Sequence, residues 1–282
     1  MSVSLVITTF DWPQALGLVL RAVARQQPLP AEVLIADDGS GAATQQLLRD
    51  VARDYPVPLR HVWHEHQGFR VGMARNRAVA AARGDYVILL DGDMLPQRHF
   101  IADHLAAARA RCFTQGMRAL AGPKLTARLL ADGRLHVSPF ARGLVARGHA
   151  ARLTAAALLR RPHAFGRKNI MSCNQGFWRA DLLEVNGFDE RMAGWGREDT
   201  ELGVRCYNAG IRRLQLRHAA VAVHLHHPPR GDGRAGTPND GYLAESERSG
   251  RTRCELGIDR HLAEFTESPP DLRAQAGYSA CA

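Results

Sequence analysis

Residues 84–95 read GDYVILLDGDML. Four apolar residues, Val87 to Leu90, run straight into Asp91-Gly92-Asp93. That pattern describes a strand buried on both faces whose tip carries two carboxylates on one short turn. The same grammar repeats upstream. Val3 to Thr9 (VSLVITT) and Glu32 to Ala36 (EVLIA) read as buried strands, and Leu59 to Trp63 as a shorter one. Helical stretches separate them: Pro13 to about Gln26, the residues after Ser40 to about Asp54, and Gly72 to Arg83. A further helix is expected over Pro96 to Arg111. Apolar strands alternating with helices imply βαβ units and a mostly parallel sheet with helices on both faces, so the first ~120 residues are α/β.

Beyond them the pattern loosens. Lys124 to Lys168 is rich in Arg, Ala and Gly, weakly helical around Ala150 to Arg160, and reads as a mobile excursion. A second organised block runs from Ile170 to about Val223: Asn174-Gln175-Gly176-Phe177-Trp178, a short helix, Gly187-Phe188-Asp189, and then Trp195 to Asn208. Gly231 to Gly241 is linker-like, and the residues from Thr266 onward read as a frayed tail.

Composition narrows the function classes. At 282 residues, 45% apolar and 23% charged, the chain is an ordinary globular one. No apolar run nears the roughly 18 residues that would cross a bilayer. The start, MSVSLVI, lacks a basic stretch and a cleavage site, so a cytosolic location is expected. Five scattered cysteines (112, 173, 206, 254, 281) without a C-x-x-C pair argue for reduced, buried thiols. The net charge is +9, and of 37 basic residues only Lys124 and Lys168 are lysines. Arginine forks suit phosphates and carboxylates, pointing to a sugar nucleotide, an acidic glycan, nucleic acid or an anionic membrane surface. Aromatic content of 6% offers few platforms for single strands, so no nucleic acid is expected. No G-x-G-x-x-G follows the first strand, which disfavours a dinucleotide-binding oxidoreductase.

In an open α/β sheet, ligands bind beyond the carboxyl ends of the strands. Three early strands end there in polar residues: Thr8-Thr9, Asp37-Asp38, and Asp91 with Asp93. Carboxylates beside a diphosphate make sense when a divalent cation bridges them, and hard oxygen ligands suit Mg2+ or Mn2+. With 17 Asp in the chain, chance supplies roughly one D-x-D, and a solvated turn is the bland alternative. Its place at a strand tip, in line with Asp37-Asp38, favours the metal. Gln67-Gly68 precedes the helix carrying Arg75, Asn76 and Arg77, an arrangement suited to an anion or to a solvated helix face. Glu198-Asp199 opens a helix, either as a carboxylate facing an acceptor or as an acidic cap. Trp195, beside Gly196, suits a sugar face or the core. In AVAVHLHHPP, His224 and His226 alternate along a strand, and His227 follows them.

Five ordered stretches carry more: VITTF, VLIADDGS, GMARNRAVAAARGDYVILLDGDM, CNQGFWRADLLEVNGFDE and GWGREDTELGVRCYNAG. Over about residues 3 to 228 they resemble the inverting GT-A glycosyltransferases of family 2. The later blocks look like the galactosyltransferase-type region of chondroitin-type polymerases and β-1,4-galactosyltransferases. The resemblance implies a GT-A fold as one domain over 1–265. Residues 1–122 would bind the nucleotide sugar, 123–169 vary, 170–230 form the acceptor and catalytic half, and 266–282 trail. It implies that Thr8, Thr9 and Phe10 lie along the nucleoside and that Asp37 and Asp38 meet base and ribose. Gln67, Gly68 and Arg75 belong to the donor site, as do Asp91, Gly92 and Asp93. Asp93 is the main metal ligand, with Asp91 and His224. Trp195, Gly196 and Glu198 hold the acceptor, and Asp199 is the base. A histidine ligand favours Mn2+ over Mg2+.

The implied partners are a nucleotide-diphosphate sugar, foremost a UDP-sugar, and a glycan or lipid-linked acceptor in bacterial-type polysaccharide or lipopolysaccharide synthesis. The basic surface allows peripheral association with the inner face of a membrane. Arg197 stands where glycine is common in the motif. A nucleotidyltransferase would carry a glycine-rich basic stretch after its first strand, and TTFDWPQ has neither. The non-enzymatic rival is a glycan- or nucleic-acid-binding protein on the same scaffold.

Overall fold

The computed structural model describes residues 1–153, 162–163, 166, 170–228, 237–267, 269 and 271–273. Four strands lead in chain order, β1 (Val3–Thr9), β2 (Glu32–Asp37), β3 (Leu59–Trp63) and β4 (Tyr86–Asp91). They pair in parallel as β4-β1-β2-β3, with Leu5 opposite both Val33 and Ile88. Helices α1 (Pro13–Val23), α2 (Ala42–Ala52) and α3 (Val71–Ala81) connect them.

Strand alternation distributes the apolar residues between two cores. Leu5, Ile7, Val33, Ile35, Ile88 and Leu90 pack with Leu16, Leu20 and Leu48 of α1 and α2. Val6, Leu34, Val87 and Leu89 pack with Ala74 and Ala78 of α3 on the other face. Such two-sided burial is why these strands read as unbroken apolar runs.

Beyond β4 the chain departs from simple alternation. Strands β5 (Met94–Pro96), β6 (Cys112–Gly116), β7 (Arg118–Ala121), β8 (Leu144–Val145), β9 (Asn174–Trp178), β10 (Arg212–Leu216) and β11 (Ala222–His224) build two sheets. The large one runs β10-β6-β9-β4-β1-β2-β3, with β9 inserted antiparallel between β4 and β6. Gly176 of β9 sits where any Cβ would meet Thr114 Oγ1 and Tyr86 Oη at 2.6 Å. The small sheet is β5-β11-β7-β8, packed on α1 and on α5 (Pro123–Asp132). Its strands carry the D-x-D turn and the histidines into register, His224 opposite Met94.

Several expectations need correction. The helix expected over 96–111 is α4 (Phe100–Ala107), because Met94–Pro96 is drawn into pairing with Ala222–His224. The 124–168 excursion is organised through residue 150, with α5, β8 and a 3-10 turn at Arg147–Ala150. The helical reading near 150–160 falls, from 154 on, outside the described residues. Residues 231–236 also lie outside them, while Asp240–Gly241 open a helix, Asp240–Ser249, rather than a linker. Two more helices, Arg179–Val185 and Glu198–Asn208, complete α6 to α8 in chain order. In the expected tail, Leu272 is buried and Asp271 accepts a hydrogen bond from the Leu59 amide at 3.4 Å. Among the described residues Cys112, Cys173, Cys206 and Cys254 are free and buried, and no helix is long and apolar enough to cross a membrane.

Under the sheet a buried polar cluster ties α4 to three strands. His104 meets Thr114 Oγ1 at 2.8 Å and Asn174 Oδ1 at 2.9 Å, and Tyr86 Oη shares Thr114. Burial pushes the imidazole down from 6.5 to about 4. Its folded value is depressed, so its contribution is full above pH 6.5 and is lost as pH falls toward 4. The stability advantage of the native protein over His104→Gln should shrink by about 3 kcal/mol over that interval, measured by urea unfolding at each pH. An advantage independent of pH would contradict it.

Candidate functional site

The carboxyl ends of β1 and β4 and the start of α7 (Glu198–Asn208) surround a cavity of about 530 Å3. The small sheet closes it with Arg118, Leu120 and Ala121 of β7 and His224 of β11. Gly92 makes the turn at its floor. Its amide donates to Thr8 O at 2.7 Å, and an added Cβ would stand 2.9 Å from that oxygen. A side chain there would push the turn off β1.

That tight turn sends the flanking acids to different partners. Asp91 Oδ1 accepts from Arg75 Nη2 at 2.8 Å. Asp93 Oδ2 lies 3.3 Å from His227 Nε2 and 3.8 Å from His224 Nε2. One donor atom from each of Asp93, His224 and His227 falls within 4.8 Å of the others. A carboxylate and two imidazoles form a suitable donor set for a divalent transition ion such as Mn2+. Burial lowers the His224 pKa, which keeps the imidazole in the neutral form a metal requires. Asp91, expected beside Asp93 as a ligand, faces the arginine instead.

Arg75 is 3% exposed and holds the centre of the site. Its Nε donates to Thr8 Oγ1 at 3.1 Å, and its guanidinium lies over the Phe188 ring at 5.3 Å. Among the described residues, Arg75 Nη1 and Glu198 Oε2 are buried without a hydrogen-bond partner. Unsatisfied buried groups of opposite charge in one cavity mark a place built for a ligand.

Glu198 and Asp199 occupy the first turn of α7, where the helix dipole favours acids. Burial, and then the neighbouring Asp199 charge, raise Glu198 to about 7. Burial also raises Asp199, against the opposing pull of Arg75. The Asp199 Oδ1 accepts from the Thr200 amide at 2.7 Å, and the Ser172 amide donates to the same carboxylate. Behind this turn the helix is clamped. Glu201 and Arg205 pair at 2.6 Å with neither side chain exposed, and Arg205 also donates to Gly187 O. Arg251 bridges Glu201 and Asp189. Arg197 sits left-handed at φ 75° with its side chain turned to Asp240 at 2.6 Å, and it does not line the cavity. Glycine takes such a φ without strain, which explains the usual preference there.

Of the residues anticipated from sequence, Thr8, Thr9, Phe10, Asp38, Arg75, Asp91, Gly92, Asp93, Trp195, Glu198, Asp199 and His224 line this cavity. Asp38 accepts from the Arg70 amide at 3.0 Å and faces His64 at 3.3 Å, while Phe10 stacks on His66. Trp195 is 55% exposed at the rim. Asp37, Gln67, Gly68 and Gly196 do not line it. Asp37, the last residue of β2, turns away to cap the Ser40 amide at 2.8 Å and to meet His61 at 2.7 Å. His227, Arg118, Ser172 and Trp12 line the cavity without having been singled out. The His-His doublet was a visible signal for the first, and nothing marked the others.

Comparison with known proteins agrees with this arrangement. Residues 4–160 match the model of glycosyl transferase family 2, and 160–228 match the N-terminal domain of galactosyltransferase. A validoxylamine A glucosyltransferase of Streptomyces hygroscopicus subsp. limoneus is 32% identical over 234 residues, covering 74% of this chain and 48% of that protein. A chondroitin synthase of Pasteurella multocida is 26% identical over 231 residues, covering 74% of this chain and 23% of the synthase. The chain thus spans about half or less of the length of these relatives. A mannosyltransferase from Pyrobaculum calidifontis, solved with GDP-Man and Mn2+, superposes with a TM-score of 0.57 at 18% identity, over 99% of this chain and 75% of its own. GalNAc-T7 with UDP, GalNAc and Mn2+ gives 0.61 at 15%, over 87% and 48%. These solved structures share the GT-A fold. With more than half of its length inside the first match, and with the strand-tip acids, arginine and W-G-x-E-D helix gathered in one cavity, the chain belongs to glycosyl transferase family 2.

Proposed function

We propose that the protein is an inverting, divalent-metal-dependent glycosyltransferase that moves a sugar from a nucleotide diphosphate, foremost UDP, to a saccharide hydroxyl. The observation that carries this reading is that Glu198-Asp199 and the Asp93, His224 and His227 cluster face one cavity. Asp199 accepts the proton of the acceptor hydroxyl as that oxygen attacks the anomeric carbon. Glu198 and Trp195 hold the acceptor sugar, and Arg75 and Thr8 sit on the donor side with Asp38 and Phe10. Asp93, His224 and His227 would hold the cation, Mn2+ rather than Mg2+, which supplies Lewis-acid stabilisation of the departing diphosphate. The basic, arginine-rich surface is in keeping with an acceptor belonging to a polysaccharide, lipopolysaccharide or lipid-linked saccharide, reached peripherally at a membrane. One domain over 1–265 suits this use.

The test is a thermal-shift panel of UDP, GDP, CDP and TDP, each with and without Mn2+. A ligand at 100 times its Kd should stabilise by about 2.7 kcal/mol. Stabilisation by UDP only with metal supports the reading, and a protein indifferent to every nucleotide and metal overturns it.

The acid pair adds a pH signature. Protons leave Glu198 and Asp199 as a coupled pair, with the later step near pH 7. A base must be ionised, so kcat/KM should fall as pH drops below about 7. Glu198→Gln removes the like charge beside Asp199 and should move that limb to lower pH whatever it does to the plateau. A limb unmoved in Glu198→Gln would dissociate the pair from the profile.

A further inference from the structure

A second cavity, of about 710 Å3, lies behind the small sheet, between the end of α1, the start of α4 and residues 135–137. None of its lining residues belongs to the cavity described above. Two polar latches hold its roof in place. Gln97 accepts from the Val137 amide at 3.0 Å and donates to Leu135 O at 3.3 Å. Asp103 receives both Arg152 Nη2, at 2.7 Å, and the Ala220 amide, at 2.9 Å.

The chemistry of the walls is divided. Ala22, Pro96, Val137 and Val221 form a buried apolar floor. Arg25, Arg98, His99 and His136 stand around the rim, and among the described residues no carboxylate pairs with any of them. The one acid in the lining, Asp103, has both oxygens engaged by Arg152 and the Ala220 amide. Two arginines at the rim of an aliphatic floor are complementary to an anion with an apolar body. Phe100, the only aromatic side chain but histidine in the lining, is 1% exposed and already packed edge-on to His104, so it offers no face to a base. The volume falls within the roughly 300–1,000 Å3 of ordinary small-molecule sites.

We infer that this cavity binds a phosphate group carrying an aliphatic chain, the phosphate held by Arg25 and Arg98 at the rim and the chain laid on the floor. That chemistry has two sources, a phospholipid in a bilayer or a single-chain phosphate in solution.

Calorimetric titration of the full chain with dodecyl phosphate, below its micelle concentration, tests the site. Dodecyl maltoside carries the same chain without charge, and inorganic phosphate carries the charge without the chain. Dodecyl phosphate should bind at least ~10-fold more tightly than either, and the double variant Arg25→Glu/Arg98→Glu should weaken it by at least ~10-fold at an unchanged Tm. Both side chains are exposed, so the fold tolerates them. A double variant that binds like the native protein overturns the site, as does maltoside binding of equal strength or no binding at all. Flotation with phosphatidylglycerol vesicles, lost in the double variant, would assign the bilayer as source. Binding of dodecyl phosphate without flotation would assign the free amphiphile.

Discussion

An Asp199→Asn protein is expected to bind Mn2+ and UDP as the native protein does while transferring sugar at least ~100-fold more slowly. The substitution preserves shape. Oδ1 of an asparagine can still accept from the Thr200 amide, and Glu201 and Arg205 continue to hold the helix from behind. What disappears is the ability to take a proton. An amide has no basic lone pair at neutral pH, so the attacking hydroxyl would have to pass its proton to water. Single-turnover rates with a saturating donor separate this from a binding defect. Turnover within a few-fold of native would remove Asp199 from the role and turn attention to Glu198, the second carboxylate of the turn.

Loss of Asp93 acts on the other half of the site. Asp93→Ala should abolish the metal-dependent stabilisation by UDP and lower transfer by at least ~100-fold, since the only carboxylate of the cluster is gone. The histidines sharpen this. His227→Ala should weaken metal binding by at least ~10-fold, whereas His226→Ala should leave it unchanged. His226 lines the cavity, yet it is absent from the group whose donor atoms converge, and its amide is tied to Thr126 Oγ1 at 2.8 Å. Titration of Mn2+ into each variant, followed by paramagnetic resonance, reads the affinities directly. Equal losses at His226 and His227 would refute the geometry.

Those two histidines also indicate where sequence reading reached its limit. Period-two alternation is sound inside a strand, and it put His224 and His226 on one face. The strand ends at His224, so parity no longer governs the residues that follow, and the chain brings His227 round to Asp93. The parallel strands β1, β2 and β4 were readable almost to the residue because both of their faces are buried. Strands β5, β7, β8 and β11 are two to four residues long and paired with distant partners, which no local pattern reveals. Asp37 and Asp38 read as one pair, yet β2 ends at Asp37, whose carboxylate is taken by Ser40 and His61, while Asp38 beyond the strand meets Arg70 and His64. Residues of the five motifs line one cavity, and the motifs were silent about Arg118 and Ser172, which line it too.

The insertion of β9 between β4 and β6 bears on how such a chain can be assembled or divided. Residues 174–178 belong to the stretch matched by the galactosyltransferase model, while both of their neighbours belong to the stretch matched by family 2. The two matched stretches are therefore not two modules joined end to end. Severing the chain near residue 160 would leave β4 and β6 with bare edges in the middle of a sheet and β9 without a partner. The pairing also spans about 60 to 90 positions of sequence, so ordering it carries a loop-closure cost that either piece alone could not offset. The sheet from β1 to β10 is thus completed only when both matched stretches are present in one chain.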